Sequence, residues 1–193
     1  MKLSVFVISC VISIWTFNSM AQSTFLLQNF SFSNNPNAPV LDAESNLLSG
    51  AVYAAELWGG ANNNSLVPTL DFFSGQRVFA TLGTGLSAGY FTSTRSMAVN
   101  QVGSGQFAWV QVRAWDTRLG ATWEEVAALG AGGYGESLLL YIRGGDPDGV
   151  PPTLPSPLIG LQSFSLRPIP EPSVWRLSLL GVAALLLLWW KSG

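Results

Sequence analysis

Histidine is missing from this sequence, cysteine occurs once, at Cys10, and charged side chains make up only 10% of its 193 residues. Each scarcity removes a class of function. Without histidine there is no Ser-His-Asp or Cys-His nucleophile pair and no imidazole-based zinc site; one cysteine supplies neither a thiolate cage nor a disulfide staple. The formal net charge of −2 and a pI near 5.0 provide no field to attract phosphates, so nucleic acid is not an expected partner. Soluble domains usually carry about 25% charged residues. Here much of the deficit lies in two nearly uncharged apolar ends. An aromatic content of 12% excludes disorder. What acid–base chemistry remains is confined to scattered carboxylates and arginines, so a non-enzymatic protein without a cofactor is expected.

Residues 1–21 read as a secretory signal peptide. Lys2 gives the positive start, residues 3–17 the apolar core, and Ser19-Met20-Ala21 the small residues at −3 and −1 of a cut between Ala21 and Gln22. An uncleaved membrane anchor is the competing reading. Val7-Ile8-Ser9-Cys10 has the form of a lipoprotein cleavage box, but too few apolar residues precede it to make a proper core. Cleavage after Ala21 leaves a mature chain without cysteine, which suits export to an oxidising compartment.

The other end carries the most specific signal. Pro170-Glu171-Pro172 is followed by Trp175, Arg176, an uncharged leucine-rich run over 177–190 and then Lys191. As a helix, the run's 14 residues reach only about 21 Å of a roughly 30 Å hydrocarbon core. Extension back to residue 174 makes up the length, because Arg176 can snorkel and Trp175, Trp189 and Trp190 suit headgroup depth. A transmembrane helix over about 174–190 is therefore expected, with Lys191 on the cytoplasmic side. The alternative, a buried terminal helix of the domain, fits poorly with a segment that is apolar all round.

Taken together, Pro170-Glu171-Pro172, the short apolar run and the terminal basic residue resemble the PEP-CTERM sorting signal of Gram-negative exported proteins. The resemblance covers about the last 25 residues (169–193). It implies recognition by an exosortase, a membrane-embedded transpeptidase-like enzyme, with processing near the motif. Such signals commonly end in several arginines, whereas only Lys191 follows the helix here. An exported protein is implied, anchored by the C-terminal helix and then left at the cell surface or in the extracellular matrix after processing.

Residues 22–168 form one domain, long enough to bury about two-thirds of the unfolded chain's surface. Strand-like alternation recurs over 25–32, 52–58, 77–82, 97–102, 106–116, 137–143 and 161–167, with glycine-rich turns between. Over 25–32 the pattern groups Leu26, Phe30 and Phe32 against Asn29 and Ser31, and Gly59-Gly60 reads as a turn. No βα alternation is visible, which predicts an all-β, antiparallel, jelly-roll-like β-sandwich. One short helix is expected after Thr122, where Thr122-Trp123-Glu124-Glu125 is a capping box and Gly130 a left-handed C-cap. Residues 144–157, with five prolines and three glycines, read as a long loop or extended crossover. The stretches 53–60, 110–116 and 160–166 also resemble ectodomains of PEP-CTERM proteins, for which that resemblance implies no activity.

Three constellations carry candidate chemistry. On the strand over 106–116, Ala108, Val110, Val112 and Ala114 suit a core. Trp109, Gln111, Arg113 and Trp115 share the opposite face. Two indoles with an amide and a guanidinium between them form a platform on which sugar rings stack, pointing to exopolysaccharide as a partner. The alternative is that this face packs under a loop, its indoles stacked on Arg113. Asp146 and Asp148 have the i, i+2 spacing of a calcium loop, or of a plain turn, since no further acidic ligand follows before the prolines. Glu124 and Glu125 point apart on a helix, so the helix-start role explains them better than a glycosidase pair. Residues 83–89 lack the lysine of a phosphate loop, and Asn29-Phe30-Ser31 and Asn63-Asn64-Ser65 match glycosylation sequons. Over 22–168 there are six arginines, no lysine and ten acidic residues, a mildly acidic surface that selects no ligand.

The cleavage reading is checked directly at the N-terminus. Mass spectrometry of the exported protein should find Gln22 as its first residue; intact Met1 would count against cleavage.

Overall fold

The computed structural model describes residues 22–32 and 36–169. The expected signal peptide with Ala21, the sorting motif Pro170-Glu171-Pro172, Arg176, the apolar run and Lys191 lie outside the described residues. Within them, no helix is long and apolar enough to cross a membrane. In chain order the elements are β1 (Gln22–Gln28), β2 (Val40–Leu41), β3 (Tyr53–Gly60), β4 (Val67–Pro68), β5 (Leu70–Asp71) and β6 (Ala80–Thr81). They continue with β7 (Thr92–Gly103), β8 (Phe107–Asp116), α1 (Trp123–Leu129), β9 (Tyr134–Glu136), β10 (Leu140–Arg143) and β11 (Phe164–Ser165). The described chain is all-β with one short α-helix.

The strands form two antiparallel sheets and one small parallel pair. The smaller sheet runs β1-β7-β5 and the larger β10-β8-β3-β4, with β6 also on β3 and β9 also on β8. The alternation of β8 decides which face is inward: Ala108, Val110, Val112 and Ala114 are all buried, with Ala55 and Leu57 of β3 beside them. Phe25, Leu27, Met97 and Val99 from the smaller sheet complete the same core. Gly59 belongs to this interior and is not a turn. A Cβ there would lie 2.6 Å from a Val99 methyl, so glycine is what lets β7 approach β3.

Several expected strands differ in extent or register. The first ends at Gln28, and its inward residues are Phe25 and Leu27, leaving Phe30 and Phe32 exposed. The expected register placed Asn29 outside, yet the side chain is wholly buried. Its Nδ2 donates to the carbonyls of Ala38 and Gly89, both at 2.8 Å, and its Oδ1 accepts from the Phe91 amide at 2.8 Å. One side chain thereby serves three backbone groups of a loop crossing, the Gly89 carbonyl also accepting from the Val40 amide, which outweighs the polarity of the side chain. The expected strand over 161–167 shrinks to β11 and pairs parallel with β2, because neighbouring amides are taken elsewhere: Leu161 donates to Leu158 and Arg167 to Tyr134. The strand expected over 137–143 is interrupted at Ser137, whose hydroxyl accepts from the Val112 amide at 3.0 Å.

The proline-rich stretch after β10 lies along β1. Thr24 and Gly145 exchange backbone hydrogen bonds at 3.2 and 2.8 Å, and Ser156 pairs with both Thr24 and Leu26. An edge strand that would otherwise offer free amides is therefore covered.

Truncation of Asn29 to alanine leaves the Ala38 carbonyl and the Phe91 amide without this partner, while the Gly89 carbonyl keeps the Val40 amide. Asn29→Ala is expected to cost about 3 kcal/mol. Urea unfolding of the variant beside the parent measures it, and an unchanged midpoint would show that the crossing finds other partners.

Candidate functional site

The outward face of the larger sheet is where the sequence placed its candidate platform. Antiparallel register puts side chains there in rows across the strands: Gly60, Trp109 and Tyr141; Trp58 and Gln111; Glu56, Arg113 and Glu136; Ala54, Trp115 and Tyr134. The helix α1 divides this face into a sealed half and an open half.

Local sequence fixes α1. The Thr122 hydroxyl accepts from the Glu125 amide at 3.3 Å, and Gly130 closes the helix at φ 65°. Glu125 reaches back one residue further than a capping box requires, to the Ala121 amide at 2.7 Å. Val126 of the helix packs with Ala54, Trp115 and Tyr134 as a second small core. Trp115 is 0% exposed, with the Phe79 ring meeting it edge-on at 5.2 Å. This corrects the four-residue platform: the helix takes Trp115 out of reach of any ligand, so Trp109 and Trp115 do not work one surface.

Arg113 is held between two other indoles. Its guanidinium lies 3.8 Å from the Trp58 ring centre and 4.1 Å from that of Trp123, donates to Gln111 Oε1 at 3.0 Å, and stands 3.9 Å from Glu136. Burial pushes the guanidinium down from its usual value, with the three nearby glutamates opposing; an arginine stays protonated regardless. The expected stacking of arginine on tryptophan is present, but on Trp58 and Trp123.

Beside it Arg77 joins two carboxylates. Nε and Nη2 donate to Glu56 at 2.7 and 2.6 Å, and Nη1 and Nη2 donate to Glu124 at 3.1 Å. Glu56 also accepts from the Trp58 indole at 3.1 Å and has no exposed surface. Burial pushes the Glu56 carboxyl up, with Arg77 opposing. Burial alone would raise Glu124 too, but Arg77, its own backbone amide and the Thr122 hydroxyl together outweigh that and lower it. Glu124 is thus committed to Arg77 and Glu125 to the helix start. Neither Glu56 nor Arg77 stands out by sequence spacing; the one signal is that Glu56 lies in period-two register with Ala54 and Trp58.

In the open half, Trp109 is joined by Phe107 and Tyr141. The Tyr141 ring centre is 4.9 Å from Trp109 and 5.2 Å from Phe107, with interplanar angles of 37° and 25°. Phe107 and Tyr141 are 52% and 56% exposed. Next to these rings is a cleft of about 320 Å³ lined by Trp58, Asn63, Asn64, Leu66, Gln111, Arg113, Glu136 and Leu139. Gly60 helps to shape it: a Cβ there would sit 2.9 Å from the Ser65 carbonyl oxygen, so glycine lets the loop carrying Asn63 and Asn64 fold back to the rim.

Asp146 and Asp148 have separate roles. The Ser104 hydroxyl donates to Asp146 Oδ1, and the Asp146 amide donates to Thr153 at 2.6 Å, tying the turn after β7 to the proline-rich loop. Asp148 is exposed in the next turn. The plain-turn alternative accounts for both residues, and among the described residues no group of three acidic, histidine or cysteine side chains is placed to hold a metal.

Comparison with protein families, with curated proteins and with solved structures gives no match for this chain.

Removing Arg77 isolates the buried Glu56 carboxylate. Arg77→Met is expected to lose about 3–5 kcal/mol at pH 7. A carboxyl whose folded value is raised contributes stability when protonated and loses it as pH rises through that value. Thermal melts from pH 7 down to pH 5 should therefore show the variant's deficit shrinking; a deficit independent of pH would mean that Glu56 is not its source.

Proposed function

We propose that this chain is an exported, non-enzymatic protein, anchored at the surface or associated with the extracellular matrix, and sorted by an exosortase-type enzyme through its C-terminal segment. The observation that carries the reading is the succession Pro170-Glu171-Pro172, apolar run, Lys191, which begins four residues after Leu166, the last buried residue of the domain. Each proline fixes φ near −65° and restrains its neighbour, so the motif suits an extended peptide presented to an enzyme. Glu171 is then a lone charge just outside the membrane. The apolar run sets its depth, with Arg176 and Lys191 at its two ends. The jelly-roll-like sandwich belongs to the same reading: the two antiparallel sheets share one core, to which the parallel β2–β11 pair adds Val40 and the partly buried Phe164.

Glu171→Ala separates sorting from a plain spacer. In a host carrying the cognate enzyme, the variant should be exported and inserted normally yet retain an uncut C-terminus by mass spectrometry. Processing at the parent's rate would remove the sorting role, because two prolines still hold the chain extended.

A further inference from the structure

The open half of the larger sheet combines a row of aromatic rings with a polar cleft, and we infer that it binds a neutral polysaccharide chain. This inference does not rest on the sorting reading. Phe107, Tyr141 and Trp109 follow one another with ring centres about 5 Å apart, Phe107 stacked on Tyr141 and Trp109 tilted against it, on strands whose opposite face is the core. A row held this way offers its outer edges and the outer faces of Phe107 and Trp109 to the C–H face of a sugar, at little entropic cost because a two-torsion side chain packed on a sheet has few rotamers to lose. The cleft beside them lies at the lower end of the roughly 300–1,000 Å³ typical of small-molecule sites. At its rim are the exposed amides of Asn63 and Asn64, each of which both donates and accepts, as a sugar hydroxyl does.

Charge decides between a neutral and an anionic chain. Three arginines and three glutamates serve this face, so their formal charges sum to zero. Arg77 is shared by Glu56 and Glu124. Arg113 is enclosed by two indoles and faces Glu136. Arg143, opposite Phe107, donates to the Gly105 carbonyl at 2.6 Å. At the cleft no guanidinium is left to meet a uronate or sulfate, because Arg113 lies between its indoles and faces Glu136. The exposed Arg143 at the Phe107 end is offset across the face by the second carboxylate on Arg77, and a hydroxyl-rich neutral chain needs no cation. A protein partner would need about 800 Å² of its own surface covered, and three rings beside a hydrophilic cleft suit a narrow chain better.

The test uses the full-length protein in lauryldimethylamine oxide micelles, a detergent without a sugar headgroup. Native gels containing hydroxyethyl cellulose, galactomannan, dextran or alginate give the dissociation constants. At least one of the three neutral polymers should retard the protein. Trp109→Ala and Tyr141→Ala should each weaken that retardation about tenfold or more while melting with the parent. Trp109→Phe should retain most of it, and Phe32→Ala, at an exposed ring elsewhere, should change nothing. The inference is overturned by no retardation in any neutral polymer, by retardation in alginate alone, or by Trp109 and Tyr141 variants that bind like the parent. It is equally overturned if Trp109→Ala changes the oligomeric state, which would show that the rings are covered by a second copy.

Discussion

Glu56 sits in the middle of β3 with no contact with solvent, and a carboxylate in that position needs a cation brought to it from another part of the chain. Arg77 meets the need with two bonds at 2.6 and 2.7 Å, and the same guanidinium then captures Glu124 on α1. One ion triplet thus joins the strand, the segment before β6 and the helix. With α1 held there, Val126 packs over Trp115 and Ala54, and Trp123 is placed over Arg113. An isolated buried charge would be strongly unfavourable, so these elements are obliged to arrive together.

The sealed half of the sheet limits what the open half can be. Because α1 covers Trp115 and encloses Arg113, the surface left free is short, with aromatic rings at one end and amides at the other. Rings that remain on solvent beside a neutralised ion cluster differ from the mixed, charged surface found on most soluble domains. The other exposed rings, such as Phe32 and Phe73, lie outside this row.

Much of the architecture was legible in the sequence because it depends on local patterns. Strict alternation over 106–116 placed four side chains in the core, and Thr122, Glu125 and Gly130 marked a helix whose start and stop involve only neighbouring residues. Legibility failed wherever a distant partner decided the outcome. Asn29 looked like an outward polar residue until its three loop partners were present. Trp115 looked like a platform residue because nothing in its own strand announces a helix packing over it. Tyr141 and Phe107 went unnoticed as companions of Trp109 because their adjacency depends on the pairing of β10 with β8. Glycine doublets misled for the same reason: Gly59 answers to a methyl in the opposing sheet.

The way the chain leaves the domain has a mechanical consequence. Just before residue 169, the backbone is fastened at several points: β11 lies on β2, Leu166 donates to Leu41, Arg167 donates to Tyr134, and Gly133 donates back to Arg167. Gly132 presses against the same segment, so closely that a Cβ there would fall 2.0 Å from the Pro168 carbonyl oxygen. Any tension on the tail would therefore be met first by this small clasp, whose side chains are themselves part of the core between the two main sheets. Freeing the segment would cost core burial as well as hydrogen bonds, since Val40 and Leu166 are seated in the main core, whereas the aromatic row lies on the other face of the larger sheet.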